Sequence, residues 1–391
     1  MLDTPFPPWP SFTPEEGEAV RRVLLSNRVN YWTGAECREF EREFAAWVGT
    51  PHAIALANGT LALELALKAL AIGPGDEVIV TPRTFLASVA CVVTVGARPV
   101  FADVDPDSQS ITADTIARVL TPNTRAILCV HLGGMPCDMD PIMELARERG
   151  LKVVEDCAQA HGAVYRGRRV GSIGHIGAWS FCQDKIMTTG GEGGMLTTRD
   201  RELWLRMWAY KDHGKSWSAV HERVHPPGFR WLHESFGTNA RMIEMQAAIG
   251  RIQLRRMPEW SACRAANAER LAEACRPSPA VRVPPVPADC SHAFYRFYAF
   301  VRPEQLASGW TRDRILHEIS TRGVPCYQGS CSEVYLEKAF DGTGFRPDSR
   351  LRHAQLLGET SLAFLVHPSL TDADMERACT VIQEVLRHAT Q

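Results

Sequence analysis

Short apolar runs alternate with helical ones between residues 50 and 157, and no other feature of this sequence limits its fold so tightly. HAIALA, EVIVTP, ARPVFADVD, RAILCVHL and KVVEDC read as strands. NGTLALELALKALAIG, FLASVACVVTVG, ADTIARVL and DPIMELARERG read as the helices between them. Parallel strands need crossover connections, so this order predicts an α/β fold with a mostly parallel central sheet covered by helices. Ligands of such sheets bind beyond the carboxyl ends of the strands. GAWSFCQDK and GGMLTT add two further strands. A long helix is expected from about Met242 to Cys275, with Pro258 inside it, and PSPAVRVPPVPAD reads as a linker. Residues 1–255 are expected to form a large domain with an N-terminal arm, the four prolines of the first ten residues making it extended. Residues 256–391 are expected to form a smaller α+β domain, with YRFYAFV as a strand.

Composition excludes some functions. Lys plus Arg number 43 and Asp plus Glu 45, so the formal net charge of -2 gives no electrostatic reason to expect nucleic acid as a partner. No apolar run reaches the roughly 18 residues of a membrane span. MLDTPFPPWPSF lacks the layout of a signal peptide. The 12 cysteines form no CxxC pair and match no zinc pattern, so no metal is expected and the thiols read as free, in a reducing cytoplasm.

Three segments carry chemistry. Asn58-Gly59-Thr60 stands where a strand ends and an Ala/Leu-rich helix begins, a place where unpaired amides suit a phosphate. Taken alone, Asn58 or Thr60 is equally a helix cap. Asp156 ends the strand KVVED, where a carboxylate needs a cation or strong hydrogen bonds; an ion pair or a protonated ring nitrogen would serve. His161 reads as a satisfied structural histidine. Lys185, in SFCQDKIMTTGGEGGM, precedes four glycines and is flanked by apolar text. An amine withdrawn from water loses proton affinity and becomes a nucleophile. A phosphate cup, a strand-end acid and a buried lysine together meet the needs of pyridoxal 5'-phosphate.

With these segments on the page, the sequence resembles a known family. NGTLALELALKALAIGPGDEVIV, TFLASV, GARPVFADVD, VVEDCAQAHGA, SFCQDKIMTTGGEGGM and TNARMIEMQAAIGRIQL are similar to the DegT/StrS family of nucleotide-sugar aminotransferases. The resemblance spans residues 15–275 strongly and the remainder more weakly. It implies a fold-type-I enzyme in which Lys185 holds pyridoxal 5'-phosphate covalently and Asp156 binds its ring nitrogen. Phe85 would stack on the ring, Gly59, Thr60 and Ser180 would bind the phosphate, and Gln159 would lie near the phenolic oxygen. Asn239 would reach the phosphate of the neighbouring subunit, which makes the active unit a homodimer. Each residue has a plainer reading: core packing for Phe85, a strand position for Ser180, a salt bridge for Arg241.

The family further implies glutamate as amino donor, a nucleotide-linked keto sugar as acceptor, and pyridoxamine phosphate as the intermediate form of the cofactor. Relatives that dehydrate the sugar carry histidine where this chain has Lys185, so the lysine favours transamination. The sugar end departs from the family: PCYQGSCSEVYLEKAF replaces its aromatic, proline-rich loop. Candidate substrate residues are Tyr327 and Gln328 there, and Arg28, Asn30, Tyr31 and Trp32 in NRVNYWTG. Lys211, His213, Lys215 and Arg230 in the long basic loop could neutralise a diphosphate. Packing or a solvated charged face would explain these residues equally well.

Overall fold

The computed structural model describes residues 6–391, so the first five residues of the expected arm lie outside the described residues. The strands are β1 (His52–Leu56), β2 (Glu77–Val80), β3 (Arg98–Phe101), β4 (Thr124–Val130), β5 (Lys152–Asp156), β6 (Val164–Tyr165), β7 (Arg168–Arg169), β8 (Ile176–Ser180), β9 (Gly194–Thr198), β10 (Val281–Arg282), β11 (Cys290–Ser291), β12 (Phe297–Val301), β13 (Cys326–Tyr327) and β14 (Ser361–Phe364). Seven of them form a central sheet in the order β1-β9-β8-β5-β4-β2-β3. The pairs β2/β3, β2/β4, β4/β5 and β5/β8 are parallel, whereas β9 runs antiparallel to both of its neighbours, β1 and β8. The carboxyl ends of β1, β2, β4, β5 and β8 therefore share one edge of the sheet.

The helices are α1 (Pro14–Leu25), α2 (Glu36–Val48), α3 (Gly59–Ala69), α4 (Ala87–Thr94), α5 (Ala113–Ala117), α6 (Met139–Arg149), α7 (Arg201–Lys211), α8 (Trp217–His221), α9 (Glu244–Cys275), α10 (Arg312–Thr321), α11 (Arg352–Thr360) and α12 (Asp372–His388). Asn58 caps α3 by accepting the Leu61 amide at 2.9 Å, as its side chain suits it to do. The reach of α9 links two cores. Ala247, Leu254, Met257 and Trp260 pack with Ala53, Ala55, Trp179 and Phe181 of the central sheet and its margin. Past Pro258, Ala268, Leu271, Ala272 and Cys275 pack under the antiparallel sheet β10-β12-β14-β13 together with Ile315, Ile319, Ile382 and Val385. Part of the expected linker is thus a strand, since Val281 and Arg282 pair with Val301 and Phe300. The small sheet also leans on the large one, with Tyr298, Phe300 and Ala363 in one cluster with Ile79, Ile127 and Val153.

The long basic segment is not one loop. Lys211 ends α7 and is fully buried, and residues 217–221 form α8. Lys211 Nζ lies 3.5 Å from Glu41 Oε1 and 3.7 Å from the centroid of the Tyr31 ring. Burial holds its pKa below the ordinary lysine value. The expectation that Lys211 faces a diphosphate is thereby corrected: the lysine lies on α7 with Leu203, Met207 and Trp208, the other residues that this helix buries. Tyr31 is also enclosed, at 3% exposure, its hydroxyl donating to Glu41 at 3.2 Å. Trp32 donates its indole N–H to Asp212 at 2.6 Å, and Arg241 and Lys215 pair with the same carboxylate at 2.6 and 3.1 Å. Arg241 takes the salt-bridge reading.

All twelve cysteines are unpaired; seven are buried and Cys331 is exposed. Among the described residues no helix is long and apolar enough to cross a membrane.

Breaking a buried ion pair costs more than removing its charge, because the orphaned ion stays buried. Glu41→Ala should lower unfolding stability by about 3 kcal/mol, and Lys211→Met by clearly less; equal midpoints in urea would contradict the pairing. A Cβ on Gly194 would meet the Asn58 carbonyl oxygen at 2.3 Å. Gly194→Ala should therefore cost about 1–3 kcal/mol in the same assay.

Candidate active site

The shared edge of the sheet gathers the residues that the sequence singles out. Gly59 and Thr60 follow β1, Thr84 and Phe85 follow β2, Gly133 follows β4, Asp156 ends β5 with Gln159 close behind, and Ser180 ends β8 ahead of Lys185. A cleft of about 570 Å³ opens there. Its walls include Phe85, Gln159, Asp184, Lys185, Tyr295 and Tyr327.

Lys185 hangs from a turn pinned on several sides. The Trp9 indole donates to its carbonyl at 2.7 Å. Thr188 donates its hydroxyl to the Phe181 carbonyl at 2.9 Å and its amide to Gln253 at 2.8 Å. Gly190 and Gly191, at φ 88° and 125°, reverse the chain into β9, a conformation that side chains resist. The glycines are thus a chain reversal behind the lysine. The Lys185 side chain is 15% exposed, with Nζ 3.8 Å from Asp184 Oδ1 and 5.1 Å from the Tyr295 ring centroid.

Asp156 is 5% exposed and has no ion-pair partner among the described residues. It accepts the Ser88 hydroxyl at 2.8 Å and the Ala158 amide at 3.0 Å. Burial pushes its pKa up, against those two donors and the Lys185 charge. Thr84 extends the chain, its hydroxyl 2.8 Å from that of Ser88. Gln159 accepts the Gly133 amide at 2.7 Å, so its NH2 group is the end left to the cleft. At the start of α3, a Cβ on Gly59 would meet Ser180 Cβ at 2.6 Å. Only glycine lets the helix terminus approach the serine this closely. Phe85 stands on the wall with 70% of its surface bare, uncommon for a ring of that size.

The arrangement can hold an anion at the α3 terminus, a cationic ring atom at Asp156 and a carbonyl at Lys185. Asn239 is exposed and outside the cleft, its backbone bridged to Asp212. Gln328 is exposed beside Tyr327, its carbonyl accepting the Ser361 hydroxyl at 2.6 Å. Arg28, exposed, borders a separate depression with Arg22 and Glu36. His213 and Arg230 are exposed and, with Tyr31, Trp32 and Lys211, stand outside the walls of this cleft. His161 departs from expectation: it is buried against Trp179 and Phe181 with neither ring nitrogen bonded, and burial lowers its pKa to about 3.

Sequence reasoning passed over Arg83, Ser88, Asp184, Tyr295 and Arg296. Arg83 is fully buried and donates to Gln109 at 3.0 and 3.1 Å and to Ser332 at 2.8 Å. With the Thr84 amide on the Cys331 carbonyl at 3.0 Å, it ties the Phe85 wall to the 330–332 wall. Asp184 carried a signal, being an acid beside the lysine. Arg83, Ser88 and Tyr295 take their places from Ser332, Asp156 and Asp184, far away in the chain, and left none.

Comparison with known proteins agrees with this geometry. A model of the DegT/DnrJ/EryC1/StrS aminotransferase family matches residues 10–383. The dTDP-3-amino-3,4,6-trideoxy-alpha-D-glucose transaminase of Streptomyces venezuelae is 36% identical over 370 residues, 95% of this chain and 92% of that protein. GDP-perosamine synthase of Caulobacter vibrioides is 38% identical over 357 residues, 89% of each chain. The crystal structure of an aminotransferase from Psychrobacter cryohalolentis superposes with a TM-score of 0.98 at 61% identity, covering 99% of this chain and 100% of that one. The chain belongs to the DegT/DnrJ/EryC1/StrS aminotransferase family and is a transaminase that depends on pyridoxal 5'-phosphate.

Proposed function

We propose that the protein moves an amino group from glutamate to a nucleotide-linked keto sugar by a ping-pong mechanism, with C4 of a dTDP- or UDP-4-keto-6-deoxy sugar as the acceptor carbon. The observation that carries the assignment of roles is the buried Asp156, which ends β5 without an ion-pair partner among the described residues and feels the charge of Lys185, a residue of the cleft wall. The residues fit the cofactor. Gly59, Thr60 and Ser180 would take the phosphate, Phe85 one face of the ring, Gln159 the phenolic oxygen, Asp156 the ring nitrogen and Lys185 the aldehyde. When bound, pyridoxal 5'-phosphate supplies a carbonyl that captures the amine and a ring that stores an electron pair.

The chain's own groups do the rest. With the cofactor bound, Lys185 Nζ would be the group that takes the proton from the donor's Cα. Asp156 keeps the proton on the ring nitrogen, and Ser88 and the Ala158 amide hold that carboxylate in place. Tyr295 positions Asp184 beside Lys185 through a hydroxyl–carboxylate hydrogen bond. We place a second copy of the chain opposite Asn239, whose exposure leaves its side chain available to the partner's phosphate site. Phe229, Trp231 and Phe236, all strongly exposed nearby in sequence, would be covered in such a homodimer.

A second reading places the amine on C3, and the name of the Streptomyces transaminase, with its 3-amino product, favours it. A keto-cyclitol acceptor is the third enzymatic reading. A silent regulatory protein of the same fold would have no need of Lys185 close to a buried Asp156.

Lys185→Ala should abolish both turnover and the visible absorbance of the bound cofactor; full activity would end the proposal. Asp156→Ala should slow turnover by orders of magnitude with a far-ultraviolet spectrum like that of the parent. A mild effect would mean that another group protonates the ring. Keto sugars differing only at C3 and C4, offered to the pyridoxamine phosphate form, should separate the acceptors by product analysis.

A further inference from the structure

Tyr295 gathers the positive charge of the cleft. Lys185 Nζ lies 5.1 Å from its ring centroid and Arg296 Cζ lies 4.7 Å from the same centroid. The two cationic groups are therefore no more than about 10 Å apart. Arg296 is half-buried in the cleft wall and makes no ion pair among the described residues. Its guanidinium donates to the Tyr295 carbonyl at 3.4 Å, so most of its donors are unused. Asp184, the nearest acid, is engaged by Tyr295 and Lys185. Although burial works the other way, the charges of Lys185 and Arg296 and the Tyr295 hydroxyl hold Asp184 below the usual carboxylate range. Behind this group, Arg264 is 1% exposed, its Nε is unbonded, and burial and then the Arg296 charge lower its pKa to about 9. Lys185 and Arg296 thus both act on Asp184, with Arg264 buried behind Arg296, and Arg296 is left with no carboxylate of its own among the described residues.

We propose that Arg296 is the carboxylate-binding residue of the cleft and takes one carboxylate of the amino donor. The inference rests on the reading of the protein as a glutamate-consuming transaminase. A planar guanidinium matches a carboxylate with two parallel hydrogen bonds, and the Tyr295 ring holds this one in place. The reach is right. The side-chain carboxylate carbon of glutamate extends about 4 Å from Cα, and a charge-assisted hydrogen bond adds about 2.8 Å. A donor whose Cα stands about 3 Å from Lys185 Nζ, the distance of a proton transfer, can therefore span the 5.1 Å and 4.7 Å that separate Lys185 and Arg296 from the Tyr295 ring.

The test uses the holoenzyme and glutarate, a dicarboxylate with no amine to react. Calorimetry should show glutarate binding weakened about ten- to hundredfold in Arg296→Gln, with part of the affinity kept in Arg296→Lys. In stopped flow, the glutamate concentration that half-saturates loss of the visible cofactor band should rise by the same factor, while the limiting rate changes much less. The pyridoxamine phosphate form should keep its half-saturating concentration for the keto sugar. Unchanged glutarate and glutamate affinity would overturn the proposal, and so would an effect confined to the nucleotide sugar, which would assign Arg296 to the diphosphate. A parent enzyme indifferent to glutamate that still binds glutarate through Arg296 would fault the choice of donor and leave the carboxylate site standing. A parent that binds no dicarboxylate would remove the site itself. Should Arg296→Gln fail to load cofactor, Arg296→Lys carries the comparison.

Discussion

A carboxylate withdrawn from water must meet a cation, gather hydrogen bonds or take up a proton, and Asp156 is held in that condition by the fold. Its place at the end of β5 puts it at the sheet edge under the cleft. The Ser88 hydroxyl and the Ala158 amide satisfy part of its capacity, and among the described residues no cation pairs with it. Such a group is unfavourable to bury for stability alone. It is useful if a cationic ring atom arrives to meet it. The other features of the site follow from that need: a bare aromatic wall at Phe85, an amine at Lys185, and a helix terminus brought against Ser180 because residue 59 has no side chain.

The lysine turn shows how local strain and long-range contact divide the work. Positive φ angles at Gly190 and Gly191 let the chain double back from Lys185 into β9. The turn keeps its shape through groups far away in sequence: Trp9, Gln253 and Tyr295. None of these three touches the reacting atoms through its hydrogen bond. Each fixes a backbone or acidic group next to the amine, so the rotamers of Lys185 are explored from a stationary base.

The cleft is also a seam between two cores. The central sheet supplies its floor, and the segment around the small antiparallel sheet supplies Tyr295, Arg296, Tyr327 and Ser330. Arg83 crosses the seam without a carboxylate partner, using Gln109 and Ser332 instead. Burial lowers its pKa, and hydrogen bonds to neutral groups are its compensation. The long helix α9 closes the other side of the join, its two halves belonging to different hydrophobic clusters.

Much of this was legible in the sequence, for a physical reason. Strand and helix periodicity is a local property, and so is the position of Asp156 at a strand end or Asn58 at a helix start. The parallel order of the sheet then brings such strand ends to one edge, which puts Asp156 and the turn at Asn58 together, whereas Gln159, Ser180 and Phe85 were named only through the resemblance to the family. Burial and partnership were decided elsewhere. Lys211 and Tyr31 read as basic and aromatic residues of surface loops, yet α7 and Glu41 draw both inside. Tyr295 and Arg296 sit at the foot of what the sequence offers as an ordinary strand, more than a hundred residues from the lysine they face. A chain announces its periodicity residue by residue, but which side chains meet across a seam depends on how whole elements pack, and that is settled only in three dimensions.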